Sequence, residues 1–409
     1  MRELKKYETS SILSSGVFPV IKFWTINEPL LPNLKILHLC RIEGSFIPYV
    51  PLFLSPRTTS IFLEFESNLP EATVASMVIT LPTLCPNLEA ISLYSLPTDP
   101  IITAAVSRML LATNRNTLQY FNVNSPLTEE ANEVLYELPN LRNLSVVIEK
   151  EIPPPSASLP NLTELTITCN NEDDWPQLFH GATLGKLEFV TFYPQSEQLG
   201  DFLGAFKRAA LSSSVQNTLS NFYFFSPCSW NPNYSSLLPF TQLVRLRVEL
   251  SCDDECSSRV DDDIIISLSQ AMPKLEVLGL GDPPCRQIAA GVTTKGLVAL
   301  AHHCPNLSIL CIHFQVASLS NPPVIPGTAP NAGDAASWTD CALMELEVGE
   351  APVPEGSALI ITLTLLRIFP RLSSIVFLDE GWKEVEDAIN HSKHIFDCSS
   401  KQPPPLTMP

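Results

Sequence analysis

Glycine and positive charge are both scarce in this chain. Only 15 of 409 residues are glycine against 37 prolines, and 25 basic residues stand against 43 acidic ones, a formal net charge of -18. No long basic run exists, so a nucleic-acid face or an anionic-membrane footprint has little support, and the plain reading of the acidity is solubility. No phosphate-cradling glycine loop, no G-x-S-x-G and no H-E-x-x-H occurs. Gly279 and Gly281 follow a strand pattern, but the D-P-P after them cannot start the helix a dinucleotide site requires. The expectation is a protein that is not an enzyme and needs no cofactor.

Long apolar runs are missing too. None reaches the roughly 18 residues of a membrane-spanning helix. The start, MRELKKYETSSILSSGVFPV, mixes bases with acids over a broken apolar stretch and makes a poor signal peptide. The 11 cysteines are scattered without a disulfide framework, which reads as reduced thiols in cytoplasm or nucleus. His302, His303 and Cys304, the pair Cys252 and Cys256, and the pair His391 and His394 each lack further ligands at metal spacing, so no metal is expected. The acidic run from Asp253 to Asp263 lacks the alternating carboxylates and glycine of a calcium loop. Asp261–Asp263 suit a helix N-terminus, where the dipole favours acids. Of the N-x-S/T triplets, those at Asn161 and Asn306 fall inside a repeated P-N-L step, which favours chance over glycosylation.

What is present in abundance is a repeat. In Val292–Phe314, Val292, Leu297, Leu300 and Ala301 recur as on one face of a short helix, with Thr293 or Thr294 to cap it. Pro305 stops that helix, having no amide to donate, and Leu307, Leu310 and Ile312 then follow L-x-x-L-x-L, whose end alternates like a strand. Thirteen such strings follow one another, among them LKILHL from Leu34, SIFLEF from Ser60, LVRLRV from Leu243 and LSSIVF from Leu372, at spacings of about 21 to 36 residues. Helical periodicity lies between them at Ala72–Leu84, Asp99–Thr113, Thr128–Leu138, Glu197–Ala210, Asp261–Ala271, Thr293–His302 and Glu355–Phe369. The short spacings between Leu118 and Leu162 predict only turns or 3₁₀ pieces, and the Pro153–Pro155 stretch an extended connection.

These features define an α/β fold of the leucine-rich-repeat solenoid kind, a horseshoe with short parallel strands on the concave face and helices and turns on the convex one. The expected organisation is an N-terminal segment over 1–29, the solenoid over 30–378 with a loop insertion at 321–337, a capping helix over 379–398 with Trp382, Val385 and Ile389 inward, and a disordered tail over 399–409. On each string the residue before the second inward leucine and those flanking the third face out. In the middle repeats these are Tyr120 and Asn122; Phe189, Thr191 and Tyr193; Tyr223 and Phe225; and Arg245, Arg247 and Glu249. Aromatic and Arg residues on an exposed sheet have the make-up of interface hot spots, so Tyr120, Phe189, Tyr193, Tyr223, Phe225, Arg245 and Arg247 are the candidate protein-binding residues. The bland alternative is that a loop or the irregular repeats near Asn217–Asn233 cover them.

VTTKGLVALAHHCPNLSILCI is similar to the cysteine-containing repeat of F-box proteins, with Val292, Thr293 and Thr294 where I-T-D usually stands. DDDIIISLSQAMPKLEVLGLGD from Asp261, FLSPRTTSIFLEF near Phe53 and LTLLRIFPRLSSIVFLDEGWKEVEDAI from Leu363 resemble fungal, basidiomycete-type members, from about Leu30 to Asp397. The resemblance implies the target-recognition part of an SCF-type ubiquitin-ligase receptor, in which an F-box docks on a Skp adaptor, and through it a cullin, while the repeats hold a protein target. The F-box itself, with its L-P-x-E-L-type step, is not found here. A stand-alone repeat scaffold with no ligase role is the alternative.

Overall fold

A computed structural model describes residues 3–6, 29–148, 159–169, 186–194, 202–213, 215–227, 232–251, 260–281, 291–319, 341–349 and 352–400. They divide into two compact units, Met1–Ser196 with Arg208–Thr218, and Glu197–Lys207 with Leu219–Pro409. In the first, parallel strands lie side by side in chain order: β1 (Glu3–Lys6), β2 (Ile36–Ile42), β3 (Ser60–Phe65), β4 (Ala90–Tyr94), β5 (Tyr120–Pro126), β6 (Asn143–Ile148), β7 (Glu164–Cys169) and β8 (Phe189–Pro194). In the second the order is β9 (Asn221–Pro227), β10 (Arg245–Ser251), β11 (Val277–Leu280), β12 (Ile309–Ile312), β13 (Glu345–Gly349) and β14 (Ser374–Phe377).

Each of the thirteen strings holds a strand, from β2 to β14. Only β1 was not foreseen. Its sequence ELKK has no apolar string; its Lys5–Glu3 ion pair of 2.9 Å puts charge on the strand that begins the order, where charge suits an unpaired edge. The fold is thus the α/β repeat solenoid that the period indicates.

The register explains why the strings are apolar at every second residue. Leu37, Ile61, Ile91, Phe121, Leu144 and Leu165 are Cα partners on successive strands of the first unit, and all are buried. Phe222, Leu246, Leu278, Leu310 and Leu346 form the matching row in the second. Burying each such side chain contributes about 1.5–3 kcal/mol, so a slip by one residue would turn a whole row into water and is forbidden. Hydroxyls at the strand starts fix the same register by a second means. The Oγ1 of Thr117 donates to the Leu88 carbonyl at 2.7 Å and that of Thr218 to Leu187 at 2.7 Å; Ser308 Oγ donates to Glu276 at 2.9 Å. The asparagine of the P-N-L step has the same duty: Asn140 donates to the Asn116 carbonyl and Asn161 to that of Pro139, each at 2.8 Å.

Helices cover the apolar side of the strands: α1 (Glu71–Leu84), α2 (Pro100–Ala112), α3 (Glu129–Tyr136), α4 (Phe202–Ser212), α5 (Asp262–Ala271), α6 (Thr294–His303), α7 (Val316–Leu319), α8 (Ala358–Ile368) and α9 (Gly381–Ser400). Their starts are set by side-chain caps. Asp99 accepts from the Ile101 amide, Thr128 from Ala131, Asp261 from Ile264 and Thr293 from Lys295. Between β5 and β6 the chain makes the eight-residue α3, as the helical period over Thr128–Leu138 indicates and against the turn or 3₁₀ piece that the short spacing suggested. Thr128 caps it and Ala131, Val134 and Leu135 give it a buried face, which suffices for two turns of α-helix.

Aromatic side chains fill the second unit's core around the first half of α4. Phe206 lies 5.3 Å from Phe222 and stacks on Phe240 at 5.3 Å and 20°, while Phe202 meets Phe224 edge-on at 4.8 Å. Trp382, Val385 and Ile389 of α9 are fully buried, with Trp382 edge-on to Phe314 at 6.1 Å. The helix runs to Ser400, two residues past the predicted end and into the predicted tail. Residues 401–409, the 321–337 insertion and the Pro153–Pro155 connection lie outside the described residues.

Candidate protein-binding faces

In both units the residues between the buried rows point away from the helices and make an open sheet face. The first unit's face is a platform of rings and amides. His38 of β2 lies 5.6 Å from Phe62 of β3, and Phe62 lies 6.0 Å from Tyr120 of β5. The last pair spans a whole strand. It can do so because β4 offers only Ala90 and Ser92 between them in the register. Ser92 is sealed at 0% exposure, and its hydroxyl has no hydrogen-bond partner among the described residues. Asn122 Nδ2 donates to the Tyr94 hydroxyl at 2.9 Å and toward that of Tyr120 at 3.4 Å, tying the two phenols together. Burial, Tyr94 and the Glu164 carboxylate push the Tyr120 hydroxyl above its ordinary pKa, against the opposite pull of the Asn122 amide. Glu164 accepts a hydrogen bond from Asn143.

Of the predicted residues here, Tyr120 and Phe189 are half-buried, and Tyr193 is 40% exposed. Phe189 neighbours Glu164 across the register, and Tyr193 neighbours Thr168. Thr191 corrects an expectation: it occupies an outward position yet is only 5% exposed.

The second unit's face is held by charge. In the register Arg247 lies between Tyr223 and Gly279, followed by Cys311 and Glu347. With no side chain at 279, the Arg247 stem lies down over that strand; a Cβ there would come 2.7 Å from Arg247 Cγ. The guanidinium thereby reaches Glu347 at 3.4 Å, and its Nε lies 2.9 Å from Glu249. Beneath them Cys311 is buried, and that burial together with Glu347 pushes its thiol well above the usual range. Tyr223, Phe225 and Arg247 are half-buried, and Arg245 is exposed beside Asn221. Tyr223 pairs with Arg247 and Phe225 with Glu249, so the four predicted residues of this unit sit on two adjacent strands.

Several residues of these faces were not singled out from the sequence: His38, Phe62, Tyr94, Glu64 and Glu164 in one unit, Gly279 and Glu347 in the other. The signal was available, since SIFLEF and LMELEV place Phe62 and Glu347 by the same outward rule that named Tyr223. What no string reveals is a long side chain crossing two strands because their residues there are Gly and Cys.

The other clusters have structural duties. Asp261 caps α5 as expected. Asp262 reaches the next repeat, where it accepts from the Thr293 amide at 2.8 Å, the Thr293 hydroxyl at 2.6 Å and the Gly296 amide at 3.0 Å. The His302 and His303 rings touch at 4.8 Å, while Cys304 is buried and directed at the carbonyls of Ser269 and Met272. Among the described residues no three His, Cys, Asp or Glu side chains are grouped to hold a metal. Cys252, Cys256 and Asp253–Glu255 lie outside those residues.

No family model matches this chain. No curated protein matches it either. A crystal structure of a Bacteroides fragilis protein from a structural-genomics consortium is similar with a TM-score of 0.35 at 12% identity, over 72% of this chain and 71% of that one. A likeness of that size carries no argument. Among the described residues no helix is long and apolar enough to cross a membrane.

Proposed function

We propose that this chain is a protein-interaction scaffold whose open sheet face holds a polypeptide partner, and that it serves as the target-recognition part of an F-box-type ubiquitin-ligase receptor. The observation that carries the first half is the outward set Tyr223, Phe225, Arg245 and Arg247 on two neighbouring strands. Helices bury the other side of the same strands, so the open side is where aromatic and guanidinium groups meet a partner. The second half rests on the likeness of the Val292–Ile312, Asp261–Asp282 and Leu363–Ile389 segments to F-box repeats.

The test is capture of the chain at native expression level from its own cells, beside a Tyr223→Ala/Arg247→Ala double variant. Recovery of a Skp adaptor and a cullin supports the ligase role; partners recovered without them leave a scaffold. Loss of a partner in a folded double variant supports the face, and full retention of every partner overturns it.

A further inference from the structure

The first unit's face carries two carboxylates that have no ion-pair partner among the described residues and that flank partly exposed rings. At the outward positions of β3 to β8 the charged residues are Glu64 and Glu164, and no lysine or arginine stands among them. Neither carboxylate has an ion-pair partner among the described residues; Glu64 meets the Cys40 thiol and Glu164 the Asn143 amide. Described cations beside this face are Arg41, at the β2 bulge, which acts on Cys40, and Lys5 of β1, the register neighbour of His38, which pairs with Glu3. Between the two carboxylates lie Phe62, Tyr94 and Tyr120, with Tyr94 the most open of them at 40% exposure. Glu64 is the register neighbour of Tyr94, and the Glu164 charge acts on the Tyr120 hydroxyl. A ring face attracts a cation through its quadrupole, and a carboxylate at the ring's edge adds a charge-assisted hydrogen bond. The strands here are about 4.8 Å apart. From β3 to β7 the face therefore spans about 19 Å, the reach of about six residues of extended chain.

Resting on the reading of the open sheet face as a polypeptide site, we propose that the first unit takes an extended segment bearing lysine or arginine, its cations over Tyr94 and Tyr120 and against Glu64 and Glu164. The second unit's face offers less of this chemistry: Arg247 already occupies Glu249 and Glu347, and Glu345 has Ile309 and Ser374, not tyrosines, as its register neighbours.

The experiment measures anisotropy of labelled synthetic peptides titrated with the full chain. One alternates lysine with alanine, and two others carry glutamine or glutamate in place of lysine. The lysine peptide should bind at least about tenfold more tightly than the glutamine one, the factor expected of one well-placed cation–ring and ion-pair contact. Glu64→Gln/Glu164→Gln should remove that preference. Glu129→Gln/Glu130→Gln, the same charge change on the exposed start of α3, should leave it intact, which separates a site from the general pull of an acidic protein. Equal weakening by both pairs, or no preference for lysine, overturns the proposal. Lysine-peptide binding that survives Glu64→Gln/Glu164→Gln and is lost in Tyr223→Ala/Arg247→Ala overturns it while sparing the proposed function. Binding of no peptide by the wild type counts against both.

Discussion

The two open faces solve one problem in opposite ways. An exposed sheet must hold its outward side chains in place without a second layer above them. In the first unit rings and amides hold one another: His38, Phe62 and Tyr120 form a row, and Asn122 ties two phenols. In the second an ion-pair lattice does so, with Arg247 stretched to Glu347 across a glycine and a cysteine. The order comes from small residues in both, Ala90 and Ser92 under the rings and Gly279 and Cys311 under the guanidinium. The comparison teaches that what a face leaves free for a partner is what its own scaffolding does not consume. The ring platform leaves Glu64 and Glu164 without an ion pair among the described residues; the charged lattice engages Glu249 and Glu347 and leaves Arg245 exposed.

The contrast sharpens most under alkali. Burial pushes Cys85 of the first unit up to about 11 and Cys304 of the second up to about 12, from 9.0. A thiol raised in the fold stabilises fully below its unfolded pKa and stops doing so as pH rises through the folded one. Stability should therefore fall from pH 9 toward 12, at up to about 1.4 kcal/mol per unit for each thiol. Urea midpoints across that range should fall more gently in Cys304→Ala than in wild type, and more gently in Cys85→Ala by a smaller margin.

The helix starts repeat the contrast between charged and neutral devices. Asp262 serves the start of α6 with three accepted hydrogen bonds, whereas in the first unit the Ser107 hydroxyl accepts one, from Thr128. Asp262→Ala should cost about 2–3 kcal/mol and Ser107→Ala about 1 kcal/mol in denaturant titrations. Equal costs would mean the charge adds nothing. Gly279→Ala should cost about 1 kcal/mol, since the methyl group displaces the Arg247 stem and the partly exposed pair with Glu347 is lost. In that background Glu347→Gln should add nothing further. The smallest effect belongs to the rings: Ser92→Ala removes a buried hydroxyl without a partner among the described residues and should be neutral or stabilise by about 1 kcal/mol.

Much of this was legible in the residues. The period-two strings fixed thirteen strands and their buried rows because one slip exposes every apolar residue at once. The caps at Asp261 and Thr293 were legible because a polar residue ahead of an apolar period has few other uses. The strand β1 was not, since ELKK carries no period and is recognised only by its pairing with β2. For α3 the period over Thr128–Leu138 pointed to a helix and the short spacing to a turn, and the period prevailed because a spacing bounds the length of a connection and not its winding. The sites were half legible: outward positions follow from alternation, but Thr191 shows that outward is not exposed. The partners of Arg247 and Asp262 depend on what neighbouring repeats omit, a glycine at 279 and another at 296, which no single repeat contains.

The hydroxyl and asparagine bonds at the strand starts have one more consequence. They measure each strand from the one before it, at a point after the helix or loop has already been traversed. Chain added or removed on the helical side is therefore absorbed before the measurement is taken, which is how spacings from about 21 to 36 residues coexist with unbroken rows of side chains. The sheet keeps a reading frame that insertions elsewhere do not shift. Such a molecule can vary its outer side freely while the order of residues offered to a partner stays in phase.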